Sequence, residues 1–188
     1  MRARVARPRL KDLSAAPNLL SLLRLALVPV ALCLMAAEER GWAVAVLLAM
    51  ALTDGLDGYV ARLTSRVTEL GKLLDPLADK VAVDSVLLLL TLRGEFPFWA
   101  LIVILVRDAG IAVVALLVSR RAGGIPAANV PGKVAFVLLA ALAVVFTADL
   151  DVLETPTMLA AMVMVGVSSA SYAARAARAL RAAPRGSD

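Results

Sequence analysis

Asp54, Asp57, Asp75 and Asp79 sit at the edges of apolar runs in a chain that is 61% hydrophobic, all within one string, DGLDGYVARLTSRVTELGKLLDPLADK, from Asp54 to Lys80. An ionised carboxylate in hydrocarbon is costly, roughly 2.5–3.5 kcal/mol at the centre of a spanning helix. A group of such carboxylates in so short a stretch calls for a compensating cation. Asp54 and Asp57 are three residues apart, and Asp75 and Asp79 are four apart, so on helices each pair shares a face. If the intervening segment folds the second helix back beside the first, the carboxylates converge on one small volume. Hard divalent cations suit such an all-oxygen site, and two of them about 4 Å apart would suit substitution at phosphorus. The chain has no histidine and a single cysteine, Cys33, which excludes a histidine base, an imidazole ligand, a thiolate cluster and an intrachain disulfide.

Small residues accompany the aspartates. Gly58 and Ala61 follow Asp57, and Gly71 opens the next run, so a flat ligand can lie close to the backbone. Arg62 adds a planar cation suited to phosphate. Pro76 falls early in its run, where a lost backbone hydrogen bond costs least.

The elements that must hold these residues are membrane helices. Only 19% of the 188 residues are charged and 4% are aromatic, whereas a soluble domain is about half apolar and about a quarter charged. The net charge of +5 is concentrated in short segments between apolar runs. That pattern points to membrane topology and anionic lipid headgroups rather than to nucleic acid. A spanning helix takes about 20 mainly apolar residues. Six runs qualify, at 17–37, 41–62, 70–93, 97–119, 131–149 and 155–178. Short connections predict antiparallel neighbours in an all-α, six-helix transmembrane bundle. It forms a single domain over 1–188, with no internal repeat. Residues 1–16 read as a mature basic tail with a short interfacial helix near Leu10–Ala16 rather than a signal peptide, and 179–188 as a flexible basic tail.

Lys and Arg set the orientation. Arg2, Arg4, Arg7, Arg9 and Lys11 precede the first run; Arg62, Arg66 and Lys72 join the second to the third; Arg120, Arg121 and Lys133 join the fourth to the fifth; Arg175, Arg178, Arg181 and Arg185 end the chain. The other connections carry Glu38, Glu39 and Arg40, then Arg93 and Glu95, then Asp149, Asp151 and Glu154. Both termini and the aspartate string are therefore expected on the cytoplasmic side. Trp42 and Trp99 fall at the opposite interface, as belt anchors would.

The string resembles the signature of the CDP-alcohol phosphatidyltransferases, D-x2-D-G-x2-A-R-x8-G-x3-D-x3-D, with Asp54, Asp57, Gly58, Ala61, Arg62, Gly71, Asp75 and Asp79 at every fixed position. The six-run pattern extends the resemblance over most of the chain. It implies an integral enzyme of a bacterial-type cell membrane in which an alcohol attacks the phosphorus of CDP-diacylglycerol and CMP leaves. It further implies that Asp54, Asp57, Asp75 and Asp79 ligate two Mg2+ or Mn2+ ions and that Asp79 is the general base. Asp54, Gly58, Ala61, Arg62 and Gly71 would bind the CDP part, and the protein would be a homodimer. The segments PNLLSLLRLALVP and LGKLLDPLADK are similar to bacterial phosphatidylglycerophosphate synthases, and the second also to cardiolipin synthases of the same fold. The resemblance favours sn-glycerol 3-phosphate as acceptor, then phosphatidylglycerol, then inositol phosphate. Arg107-Asp108, in place of an Arg-Glu pair, leans toward the cardiolipin type.

Arg107, Arg120 and Lys133 are the cations outside the signature that an acceptor phosphate could use. Each has a plainer reading: Arg107 as an ion pair with Asp108, Arg120 and Lys133 as cytoplasmic-edge charges. Arg24, inside the first run, needs a partner or a route to the interface. Asp84 reads as a hydrogen-bond partner and Cys33 as a small core residue. Capping could account for Asp75 but not for the whole set. A divalent-cation channel or transporter is the rival from another class. It would place its carboxylates near the midplane rather than at one edge beside glycines and an arginine.

Overall fold

Each apolar run folds into a helix in the computed structural model: α1 (Ala16–Ala36), α2 (Arg40–Thr64), α3 (Gly71–Leu92), α4 (Phe98–Ala122), α5 (Val130–Thr147) and α6 (Asp151–Ala182). The structure describes residues 16–64, 71–122 and 130–182, with side chains over 21–53, 78–116, 118 and 130–178. The described residues contain no strand. The segment expected to be interfacial before α1 and the connections after α2 and α4 lie outside them.

The last helix runs past both of its expected ends. α6 starts at Asp151 rather than 155, because Asp151 and Glu154 complement the positive end of its first turn. The Leu150 carbonyl already accepts from the N–H of Leu153 at 2.8 Å and of Glu154 at 3.2 Å. Pro156 is thus carried inside the helix rather than opening it. At the other end α6 continues to Ala182 through an alanine- and arginine-rich stretch of high helix propensity.

The turns have a shared construction. After α1, Glu38 takes a left-handed φ of 64°. The N–H of Glu39 reaches the Leu34 carbonyl at 2.9 Å and that of Glu38 reaches Met35 at 3.1 Å. After α5, Asp149 has φ 57°, and the N–H groups of Leu150 and Asp149 bond Val145 and Phe146, both at 3.2 Å. These are Schellman closures, which satisfy carbonyls left open by the last helical turn. Gly94, φ 77°, closes α3 through its N–H to the Thr91 carbonyl at 3.0 Å.

The chain divides into two compact units, Met1–Leu90 and Thr91–Asp188. In the first, α1 packs along α2. The buried face of α1 runs Ser21, Arg24, Val28, Ala31, Met35, at alternating three- and four-residue steps, and that of α2 runs Ala43, Leu47, Met50. On α3, Ala78, Ala82, Val86, Leu87 and Leu90 are buried. In the second unit α6 packs against both α5 and α4. Ala161, Val165 and Ser168 of α6, Ala135, Leu139 and Leu142 of α5, and Ala100 and Ile104 of α4 are all buried. The small residues in these faces allow close helix approach, as in membrane interiors where packing rather than the hydrophobic effect joins helices. Phe96 and Phe146 meet edge to face, with centroids 5.0 Å apart and planes at 77°.

The opposite faces are apolar and exposed: Val103, Val106 and Val113 on α4, Val137 on α5, Leu159 and Val163 on α6. Such surfaces suit lipid. Phe98–Leu116, Val130–Thr147 and Asp151–Arg178 are long and apolar enough to cross a membrane, and Ser21–Ala36 and Arg40–Thr53 form shorter apolar helical segments. Trp42 and Trp99 are exposed near the starts of α2 and α4.

Candidate active site

The signature is carried on two successive helices. Asp54, Asp57, Gly58, Ala61 and Arg62 lie on the C-terminal half of α2, while Gly71 opens α3 and Asp75 and Asp79 follow along it. Unbroken helix over both segments keeps each aspartate pair on a shared face. The side chains of residues 54–77 lie outside the described residues; that of Asp79 lies within them.

Asp79 accepts a hydrogen bond from Nη1 of Arg24, on α1, through its Oδ1. The Arg24 side chain is 3% exposed and the Asp79 side chain 17%. This ion pair ties the first helix to the last aspartate of the signature, and it answers how a cation is tolerated inside the apolar run of α1. The sequence held part of the signal: Arg24 is the one charged residue of α1 and shares its buried face with Ser21. A buried cation requires a carboxylate, but spacing alone does not say which. A carboxylate has two oxygens with about four acceptor positions. The Arg24 bond to Oδ1 is therefore compatible with further ligation by Asp79.

The other candidate cations are placed separately. Arg107 donates from Nη1 to Asp108 Oδ1 at 2.6 Å and from Nη2 to Ser168 Oγ at 2.8 Å. Its side chain is 9% exposed and that of Asp108 11%. Arg107 thereby ties α4 to α6, a contact to Ser168 that sequence reasoning missed. Lys133 is exposed on the first turn of α5, and Arg120 lies near the end of α4 with its side chain outside the described residues. Breaking a buried ion pair costs about 3–5 kcal/mol, so Arg107→Ala is expected to lower the melting temperature in detergent. An unchanged melting temperature would show that the Arg107 contacts do not hold α4 against α6.

A second acidic group stands apart from the signature. Carboxylate oxygens of Asp149, Asp151 and Glu154 lie within 4.8 Å of one another, with Asp149 and Asp151 exposed. Their place at the N-terminus of α6 is explained by the helix dipole alone.

Comparisons with known proteins show the family. The family model for CDP-alcohol phosphatidyltransferase matches residues 14–170. A probable phosphatidylglycerophosphate synthase of Mycobacterium tuberculosis is 34% identical over 173 residues, covering 86% of this chain and 81% of its own length. A CDP-diacylglycerol–glycerol-3-phosphate 3-phosphatidyltransferase of Bacillus subtilis is 37% identical over 133 residues, covering 63% of this chain and 68% of its own. A CMP-forming cardiolipin synthase of Streptomyces coelicolor is 39% identical over 125 residues, covering 63% and 58%. The chain belongs to the CDP-alcohol phosphatidyltransferase family, a family of membrane transferases in phospholipid biosynthesis. The substrates of that family are CDP-diacylglycerol and an alcohol, and its product includes CMP.

Proposed function

We propose that the protein transfers the phosphatidyl group of CDP-diacylglycerol to sn-glycerol 3-phosphate, giving phosphatidylglycerophosphate and CMP. The observation that carries this reading is the intact eight-position string, set on the successive helices α2 and α3. In the reaction, Asp79 takes the proton of the acceptor hydroxyl. The freed oxygen attacks the phosphorus that bears diacylglycerol, and the bond from that phosphorus to the CMP oxygen breaks. Asp54, Asp57, Asp75 and Asp79 form an all-oxygen donor set fit for Mg2+ or Mn2+. Two such ions would supply charge neutralisation on the diphosphate and stabilisation of the attacking oxygen. Gly58, Ala61 and Gly71 leave room for the nucleotide against the backbone, with Asp54 beside it, and Arg62 faces the diphosphate charge. Arg107, Arg120 and Lys133 are the cations proposed for the acceptor phosphate.

We further read all six helices as spans with both termini and the aspartates on the cytoplasmic side, and the protein as a homodimer. The Lys and Arg distribution supports the orientation; the dimer rests on family resemblance. The channel or transporter reading gives way to membership in a transferase family. Phosphatidylglycerol is the second acceptor, favoured by the Arg107-Asp108 pair and by the Streptomyces relative. Purified protein supplied with CDP-diacylglycerol and labelled glycerol 3-phosphate, phosphatidylglycerol or inositol phosphate in parallel decides among them. Labelled phosphatidylglycerophosphate is expected, and labelled cardiolipin would overturn the first choice. In the same assay Lys133→Ala should raise the apparent KM for glycerol 3-phosphate more than that for CDP-diacylglycerol. Loss of one charge-assisted bond is worth about 1.5–3 kcal/mol, or roughly ten- to a hundred-fold.

A further inference from the structure

We propose that Arg24 is the positioning residue of Asp79, a role that rests on the reading of Asp79 as the proton acceptor. Three features of the first unit support it. The Arg24 guanidinium bonds Asp79 Oδ1, from a different helix and across 55 residues of sequence. Both side chains are largely shielded, at 3% and 17% exposure. The buried face of α1 changes character along its length: Ser21 and Arg24 are polar, while Val28, Ala31 and Met35 are apolar. The polar end is the end from which Arg24 bonds Asp79.

A proton acceptor must be held in reach of the acceptor hydroxyl, and a carboxylate on a helix has rotamer freedom to lose. The planar guanidinium donates along a fixed N–H direction, so its bond to one oxygen orients the carboxylate as well as neutralising it. With one oxygen engaged by Arg24, the second is aimed by the same bond. α1 thus acts on the chemistry without carrying any residue of the signature. Lysine at position 24 would keep the charge but lose the fixed direction. Glutamine would keep a neutral donor and lose the charge.

The test is a double-mutant cycle on the full-length protein in detergent with CDP-diacylglycerol and the acceptor. Arg24→Gln should lower kcat about ten- to a hundred-fold while leaving the KM for CDP-diacylglycerol within about three-fold, a loss of the size seen when a group oriented for proton transfer is released. In an Asp79→Asn background the same substitution should cost less than about three-fold further, because residues that act as one unit are not additive. Mn2+ binding, followed by electron paramagnetic resonance without substrate, should keep its stoichiometry in Arg24→Gln. Arg24→Lys should recover part of the lost kcat, and it serves as the measured variant if Arg24→Gln does not fold. Equal losses in both backgrounds, or loss of Mn2+ sites in Arg24→Gln, would overturn the positioning role. Wild-type turnover by Asp79→Asn alone would instead overturn the assignment of Asp79 as proton acceptor, so the two failures are told apart.

Discussion

Excess EDTA is expected to abolish CMP release, and Mg2+ or Mn2+ to restore it. The physical reason is charge. Four carboxylates occupy two short helical segments, and of them Asp79 is bonded by a cation, Arg24. Four like charges drawn together on two helices repel one another, and a diphosphate substrate adds more negative charge. Metal stabilisation of charge at a transferring phosphoryl group is worth several kcal/mol, with each 1.36 kcal/mol a factor of ten in rate. A fall of at least about a hundred-fold should follow removal of the ions. The acidic turn at Asp149, Asp151 and Glu154 provides the internal control, since its carboxylates also lie close together. Asp151→Asn should leave both the metal requirement and the concentration of Mg2+ for half-activation unchanged. Asp75→Asn should raise that concentration. Undiminished activity in excess chelator would sink the metal reading, and a shifted requirement in Asp151→Asn would move the working ion to the other end of the chain.

The helices were legible because the chain marks them twice, by apolar runs and by charged or glycine-containing breaks. Their ends were less so. Gly94 announces a left-handed closure, but Glu38 and Asp149 close their helices in the same conformation without a glycine. Acidic side chains there look like any polar connection. The last apolar run begins at 155, yet the favourable charges of Asp151 and Glu154 carry the helix one turn further back. The site divides along the same line. Spacing within one helix puts each aspartate pair on one face, and adjacency in the chain let the Arg107-Asp108 ion pair be anticipated. Which face meets which is a matter of packing. Neither the bond from Arg24 to Asp79 nor the one from Arg107 to Ser168 follows from any local pattern, since 55 and 61 residues separate the partners. Arg24 showed only that something must compensate it.

Asp79→Asn should reduce kcat by roughly a hundred- to ten-thousand-fold, the span over which a positioned general base contributes. The amide keeps the size and the acceptor oxygen of the side chain but cannot take the proton of an alcohol. The KM for CDP-diacylglycerol should change far less than kcat, because Asp79 is the last residue of the signature and most positions proposed for the nucleotide, Asp54, Gly58, Ala61 and Arg62, lie on α2. Asp54→Asn should behave differently, weakening nucleotide and metal binding together with turnover, since Asp54 is assigned to both. Two corrections belong in the measurement. Arg24 loses a charged partner in Asp79→Asn, so the melting temperature should fall and kcat must be expressed per folded molecule. Asp79 is also proposed as a metal ligand, so Mn2+ binding must be measured in parallel, because a variant that loses the ion reports metal loss rather than base loss. A folded, metal-replete Asp79→Asn enzyme that turned over at the wild-type rate would remove Asp79 from the chemistry. Proton acceptance would then pass to another carboxylate of the string, with Asp75 the first to test because it lies one turn earlier on the same face of α3.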